Sequence, residues 1–187
     1  YYNLGLTLQE YRRYGEALRV YDMALELSPT TCSVLNNRGV VLRDLQRYGD
    51  AEESFQRTLA LDPTFLNAYV NLACIHVRRH QLAQGLTECD RALAINPHFT
   101  DAWYNRGFIL GESLRFDEAE ASYQQVLARE PAHRKAQFAV ALCHLVRGRF
   151  AQGWQAYETR WLETSLGINK MPLTSPEWDG RAPHGGQ

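Results

Sequence analysis

The sequence predicts an all-α chain: a right-handed α-solenoid of stacked helix-turn-helix units followed by an extended C-terminal tail. Three observations carry that expectation. Pro29, Pro63, Pro97 and Pro131 stand 34 residues apart. Ahead of each, matching slots hold matching residues: large Tyr1, Leu35, Tyr69 and Trp103, then small Gly5, Gly39, Ala73 and Gly107, and later small Ala17, Ala51, Gly85 and Ala119. Within each unit, large residues recur three and four apart in two separate segments, so each segment is a helix with one apolar stripe. A single helical hairpin cannot bury that stripe alone. Hairpins therefore stack, giving the array a concave and a convex face.

Taken in order, the helix pairs fall at about 1–11 and 14–27, 31–44 and 48–61, 65–79 and 82–95, and 99–113 and 116–129. The small slots let paired helices approach closely, because a larger Cβ substituent would separate their axes. Each Pro follows a helix ending such as ALELSP, TLALDP or ALAINP, and it cannot continue the helix. A fifth pair, at about 133–147 and 150–163, has drifted: Ala139, Ala141, Gly148, Phe150, Gly153 and Tyr157 keep the register, but Ser165 stands where Pro is due. Trp154, Tyr157 and Trp161 make an aromatic stripe there. Part of it closes the core, and the rest is expected to meet a cover, self-association included. Residues 164–187, with Pro172, Pro176, Pro183 and four glycines, read as a tail or linker for which Trp178 is the one large apolar anchor. The expected domains are thus an array over 1–163 and a tail over 164–187.

Composition narrows the function classes. Hydrophobic residues make up 45% of the sequence, as in ordinary globular proteins. A net charge of −1 gives no bulk attraction to nucleic acid or to an anionic membrane. No apolar run reaches membrane-span length and no signal peptide is visible, so a cytoplasmic location is expected. The sequence opens inside a repeat without Met, which suggests a fragment of a longer protein. Cys32, Cys74, Cys89 and Cys143 lack CxxC spacing, and the last three fill slots that are apolar in other units. They read as reduced core thiols. His76 and His80 are four apart, a zinc-compatible spacing, but Val77 stands where the catalytic form of that motif has Glu. No nucleophile–base–acid set and no phosphate loop stand out. No enzyme, metal site or cofactor is expected in these residues.

Trp103, Gly107, Leu110, Ala119, Tyr123 and Pro131, with their counterparts 34, 68 and 102 residues earlier, resemble the tetratricopeptide repeat pattern W-x2-L-G-x2-Y, A-x3-F, P. The resemblance covers roughly Tyr1–Trp161, with Arg38 and Arg106 departing from the usual Leu. Asn3, Asn37, Asn71 and Asn105 repeat on the same period, each in the middle of a first helix. Asn costs up to about 0.7 kcal/mol there relative to Ala, so four placements need a reason. First helices line the concave face, so the amides should form a ladder able to hold the backbone of an extended peptide. Tyr2, Asn36, Arg43, Tyr104 and Phe108 are the neighbours expected to add specificity. The row resembles the asparagine ladder in the repeats of O-linked N-acetylglucosamine transferases, which implies a polypeptide partner. The fifth unit has Ala139 at that slot, and the bland alternative is Asn bonded to a neighbouring repeat.

A carboxylate clamp of the kind other members carry needs Lys where this sequence has Ser33, Asn67 and Asp101, so it is not expected. Arg13, Arg47, Arg115 and Arg149, with Gln81 in the third unit, mark the hairpin turns and are read as partners of the first helix's last carbonyls, with a basic docking edge for an acidic partner as the alternative. Glu16, Asp50 and Glu118 open the second helices, where acidic charge suits the dipole. Finally, GWQAYETRW with PEWDG resembles the junction of bacterial proteins in which such repeats lead into a glycosyltransferase-like domain. That implies an alternative role as the substrate-recognition arm of such an enzyme.

Overall fold

The computed structural model describes residues 1–157 of the 187. Trp161, Trp178 and the expected tail lie outside the described residues. The protein divides into two compact units, Tyr1–Ile109 and one starting at Leu110. The first holds α1 (Tyr2–Glu10), α2 (Tyr14–Leu27), α3 (Cys32–Asp44), α4 (Tyr48–Leu61), α5 (Leu66–Arg78), α6 (Leu82–Ile95) and most of α7 (Thr100–Glu112). The second holds α8 (Phe116–Arg129), α9 (Arg134–Val146) and α10 (Phe150–Tyr157). No strand occurs among the described residues. The helix boundaries agree with the sequence expectation to within one or two residues, except the expected end of the last helix at about 163, which lies outside the described residues.

In the first unit the apolar clusters form between hairpins. Leu8 (α1), Ala17 and Tyr21 (α2), and Val34 and Val41 (α3) bury together. Leu42 (α3), Ala51 and Phe55 (α4), and Ala68, Leu72 and Ile75 (α5) repeat the arrangement one hairpin on. Ala73, Cys89 and Ile109 repeat it again. Close approach within a hairpin depends on the small slot. A Cβ added at Gly39 would lie 2.6 Å from Phe55 Cε1, and one at Gly5 would lie 2.3 Å from Tyr21 Cε1. The third hairpin exchanges the two small slots, carrying Ala73 on its first helix and Gly85 on its second. There a Cβ at Gly85 would meet the Ala73 carbonyl at 3.3 Å and Ile109 at 3.1 Å. Cys89 takes the place of the ring found at Tyr21 and Phe55. Burial pushes its thiol up to about 12, so it stays protonated.

The hairpin turns share one backbone device. Arg13 N–H donates to the Leu8 carbonyl at 2.8 Å and Arg12 N–H to the Gln9 carbonyl at 2.9 Å, a Schellman closure. The long bond recurs at Arg47–Leu42, Gln81–His76, Arg115–Leu110 and Arg149–His144. The residue before it is left-handed every time: Arg12 (φ 57°), Gln46 (60°), His80 (58°), Leu114 (59°) and Gly148 (74°). These backbone bonds already satisfy the last carbonyls, so the arginine row acts elsewhere. Arg13, Arg47 and Arg115 N-cap the second helices and pair forward with Glu16, Asp50 and Glu118, the first two at 2.7 Å through Nε. Arg13 holds the Glu16 carboxyl below its ordinary range. Arg149 instead pairs with Glu120 of α8, in the preceding hairpin, at 3.3 Å.

The large opening residue of a unit also has a polar task. Tyr69 Oη, Trp103 Nε1 and Gln137 Nε2 donate to the carbonyls of Pro63, Pro97 and Pro131 at 3.1, 2.9 and 2.7 Å, which pins each loop to the helix it feeds. Arg38 replaces the usual Leu and binds Ser54 within its own hairpin at 2.8 Å and Asp22 of the hairpin before at 2.7 Å, while Arg106 binds Asp90 of the hairpin before it at 2.9 Å. His76 Nδ1 lies 3.0 Å from Gln81 Oε1 in its own turn.

In the second unit, Ala119, Tyr123 and Val126 of α8 bury with Ala136, Val140, Ala141 and Cys143 of α9. Burial also lifts the Cys143 thiol, to about 11. Gly153 admits the Leu145 side chain, 2.6 Å from where a Cβ would stand. Of the aromatic stripe's two described members, Tyr157 stacks obliquely on Phe138 with centroids 5.3 Å apart, whereas Trp154 remains 48% exposed.

Two stability outcomes follow. Gly39→Ala forces the Phe55 ring to move and lowers stability by about 1–3 kcal/mol, as overpacking does. Gly15→Ala, whose Cβ meets nothing within 4 Å, does not lower it. Leu114 is 75% exposed and left-handed, so Leu114→Gly loses little packing and relieves strain of about 1–2 kcal/mol. Glycine's extra unfolded-state entropy returns about 0.5–1 of that, leaving a small net gain. Urea midpoints at unchanged m-value measure both effects.

Candidate functional site

The 34-residue period sets Asn3, Asn37, Asn71 and Asn105 at the same position on α1, α3, α5 and α7. Helices α1, α3 and α5 touch in succession. Asn37, Asn71 and Asn105 are half-buried and Asn3 is exposed. Two of the four amides are tied into one hydrogen-bonded relay. The Arg43 guanidinium donates to Asn71 Oδ1 at 3.0 Å. Asn71 Nδ2 donates to Asn36 Oδ1 at 3.1 Å, and Asn36 Nδ2 to Asn37 Oδ1 at 3.2 Å. Asn37 Nδ2 then donates to the Tyr2 hydroxyl at 3.2 Å. Every donor points the same way, from the cation on α3 toward α1, so each bond polarises the next.

Neighbouring side chains anchor the relay. Arg43 also grips Asp44 Oδ1 through Nε at 3.2 Å and a terminal nitrogen at 3.0 Å, which anchors its orientation. Tyr21 donates to Gln9 Oε1 at 3.2 Å. Burial first, and the Tyr2 hydroxyl second, push its phenol up to about 12, so it remains a donor.

Asn105 is held differently. Its Nδ2 donates to the Asp101 carbonyl of its own helix at 2.8 Å, and its Oδ1 accepts from the Cys74 thiol at 3.5 Å. Burial raises the Cys74 pKa and so preserves that S–H. The side chain of Asn3 has no hydrogen-bond partner among the described residues. Tyr104 is half-buried beside Asn105 in sequence. Phe108, 42% exposed, lies one helical turn further on the same helix.

Asn36 and Cys74 are the parts that sequence reasoning placed less well. Asn36, read as a groove neighbour, is only 6% exposed and is the joint between Asn37 and Asn71. Its signal is the Asn36-Asn37 doublet, which occurs in one unit only. Cys74, read as a core thiol, is half-buried and bonded to the row. A carboxamide has two N–H donors and two lone pairs on oxygen. Asn71 and Asn105 each use one of each, so each keeps one donor and one lone pair for a ligand, whereas the Asn37 amide also acts on the Tyr21 hydroxyl and keeps a lone pair.

Comparison with known proteins fits this geometry. No curated protein matches the sequence. Among solved structures, TTC0263 of Thermus thermophilus, described as a thermophilic TPR protein, is 25% identical with a TM-score of 0.74, covering 87% of this protein and 89% of that one. MamA is 21% identical with a TM-score of 0.71, covering 87% and 95%. YrrB, described as a TPR protein with an unusual peptide-binding site, is 21% identical with a TM-score of 0.63, covering 85% and 82%. These likenesses establish the fold. The tetratricopeptide repeat family matches residues 1–31, 33–65 and 109–164, more than half of the sequence. The protein therefore belongs to the tetratricopeptide repeat family, a fold of stacked hairpins that serves as a scaffold for protein–protein interaction.

Proposed function

We propose that the first unit holds an extended peptide or partner segment along the row Asn3, Asn37, Asn71 and Asn105, with Arg43, Tyr104 and Phe108 as flanking contacts. The single observation that supports it most is the hydrogen-bonded relay from Arg43 to Tyr2. It fixes the Asn37 and Asn71 amides before any ligand arrives, so less side-chain entropy is lost on binding. The spare donor and acceptor on Asn71 and Asn105 suit the backbone carbonyl and N–H groups that every extended peptide offers, whatever its side chains. Exposed Phe108 and half-buried Tyr104 add apolar area beside Asn105. YrrB's described peptide-binding site lends the reading a structural parallel.

A second reading, in which the repeats present polypeptide to a glycosyltransferase-like domain, is favoured by the GWQAYETRW and PEWDG motifs. The gene sequence downstream of Gln187 tests it, and a stop codon directly after Gln187 would remove it.

For the leading reading, peptides are selected on this protein from a random dodecamer library. Asn37→Ala with Asn71→Ala removes two contacts worth about 1 kcal/mol each and weakens the selected peptide roughly ten- to thirty-fold, with helicity retained. Unchanged affinity in the double variant, measured by titration calorimetry, sinks the ladder role.

A further inference from the structure

At the hairpin-turn edge of the first unit, a cleft of about 390 Å³ is lined by Arg12, Tyr14, Arg43, Asp44, Tyr48 and Arg78. Three guanidinium groups face one carboxylate, and that carboxylate is already taken by Arg43. The side chains of Arg12 and Arg78 are exposed and make no hydrogen bond or ion pair with any described residue. This sets them apart from Arg13, Arg38, Arg47, Arg79, Arg91 and Arg106, each of which holds a carboxylate.

A cation near a helix C-terminus is favourable on dipole grounds alone. That accounts for Arg43 and Arg78 one at a time, since they lie in the last turns of α3 and α5. It does not account for their convergence with Arg12, a left-handed turn residue, on one concavity. Arg43 and Arg78 both line the same cleft, and both lie near enough to Cys74 to oppose the upward push of burial on its thiol. Like charges gathered this way repel unless an anion enters. The protein as a whole carries a net charge of −1, so the local excess is not a by-product of a basic protein. Tyr14 and Tyr48, half-buried on the walls, add phenolic donors.

We propose that this cleft binds a carboxylate or phosphate group on an acidic segment of a partner polypeptide, gripped by Arg12 and Arg78. Guanidinium forks match both oxyanions bidentately. The site goes beyond the peptide row. Arg12 and Arg78 touch none of the four row asparagines, and Arg43 alone joins the two regions through its bond to Asn71.

The test uses the whole protein and three labelled dodecapeptides of one design, rich in Glu, phosphoserine or Gln, read by fluorescence anisotropy. Wild type binds the Glu or the phosphoserine peptide in preference to the Gln peptide, and binding weakens as salt rises from about 50 to about 300 mM. The tighter of the two anionic peptides identifies the oxyanion. Arg12→Gln with Arg78→Gln loses at least about ten-fold in affinity with helicity unchanged. Arg19→Gln with Arg57→Gln removes the same charge elsewhere on the unit and keeps full affinity. All three peptides share the backbone the row would hold, so the ratio of anionic-peptide to Gln-peptide affinity reads the cleft alone, and failure of the peptide row is told apart from failure of the cleft. Two results overturn the proposal: neither anionic peptide exceeds the Gln peptide, or the Arg19/Arg57 variant loses as much as the Arg12/Arg78 variant.

Discussion

Phe55 shows how the first unit is held together, because it belongs to two hairpins at once. Its ring fills the space left by Gly39 on its own partner helix and packs with Ala68, Leu72 and Ile75 of the next hairpin. Each first helix is thereby held twice, by its own second helix and by the hairpin before it. Rotation about its axis is lost, and a given slot returns to the same side after every 34 residues. The asparagines depend on that constraint. Asn36 reaches Asn71 across two hairpins only because α3 and α5 share one azimuth. The third hairpin keeps the spacing by exchanging its small residues between helices, Ala73 for Gly and Gly85 for Ala, which leaves the close approach intact. Stability in such arrays is a sum over neighbouring hairpins, so a local overpack weakens two interfaces at once.

A slower rhythm overlies the 34-residue one. Arg38 with Asp22 and Arg106 with Asp90 occupy equivalent positions 68 residues apart, while Leu72 holds the intermediate slot. Arg79 with Glu52 and Arg147 with Glu120 repeat the same doubling, each pair within its own unit. In the first unit these ion pairs run from the second helix of one hairpin to a neighbouring hairpin, where the family pattern would bury Leu. Half-buried arginines cover apolar surface with their stems while their heads find carboxylates. The exchange retains packing and adds a directional contact that resists slippage between hairpins.

Much of this was legible in the sequence because periodic slots report on packing. The helix boundaries, the small-residue approaches and the positions of the asparagine row all follow from residues recurring every 34. What recurs without a telltale residue was not legible. The left-handed turn position carries Arg12, Gln46, His80 and Leu114, and only the fifth copy, Gly148, shows its backbone in its side chain. The arginine row was placed correctly along the sequence but aimed the wrong way. Backbone N–H groups had already closed the helix ends, leaving Arg13, Arg47 and Arg115 to pair forward with the acids of the next helix. Asn36 escaped because it occurs once, and the Asn105 amide turned to Asp101 because a carbonyl four residues back is always within reach of a helical side chain.

The proposed row and the proposed cleft differ in kind, and Arg43 explains why both are needed. Its Nε and one terminal nitrogen lie on Asp44 and the other on Asn71, so its charge is neutralised and its role is to orient. The row it sets in place is a neutral surface of donors and acceptors. Such a surface matches any extended backbone and discriminates poorly between sequences. Discrimination must come from groups that reject most partners, and uncompensated charge does that, since an apolar or basic segment cannot satisfy Arg12 and Arg78. A partner that combines an extended backbone with an acidic residue at the right distance would engage both surfaces through one connected set of side chains. Linking two modest contacts on one peptide raises affinity beyond either alone, provided the spacing between the acidic residue and the bound stretch matches that between the cleft and the row. On this reading, the partner's sequence is constrained at the residue that enters the cleft and relaxed along the row.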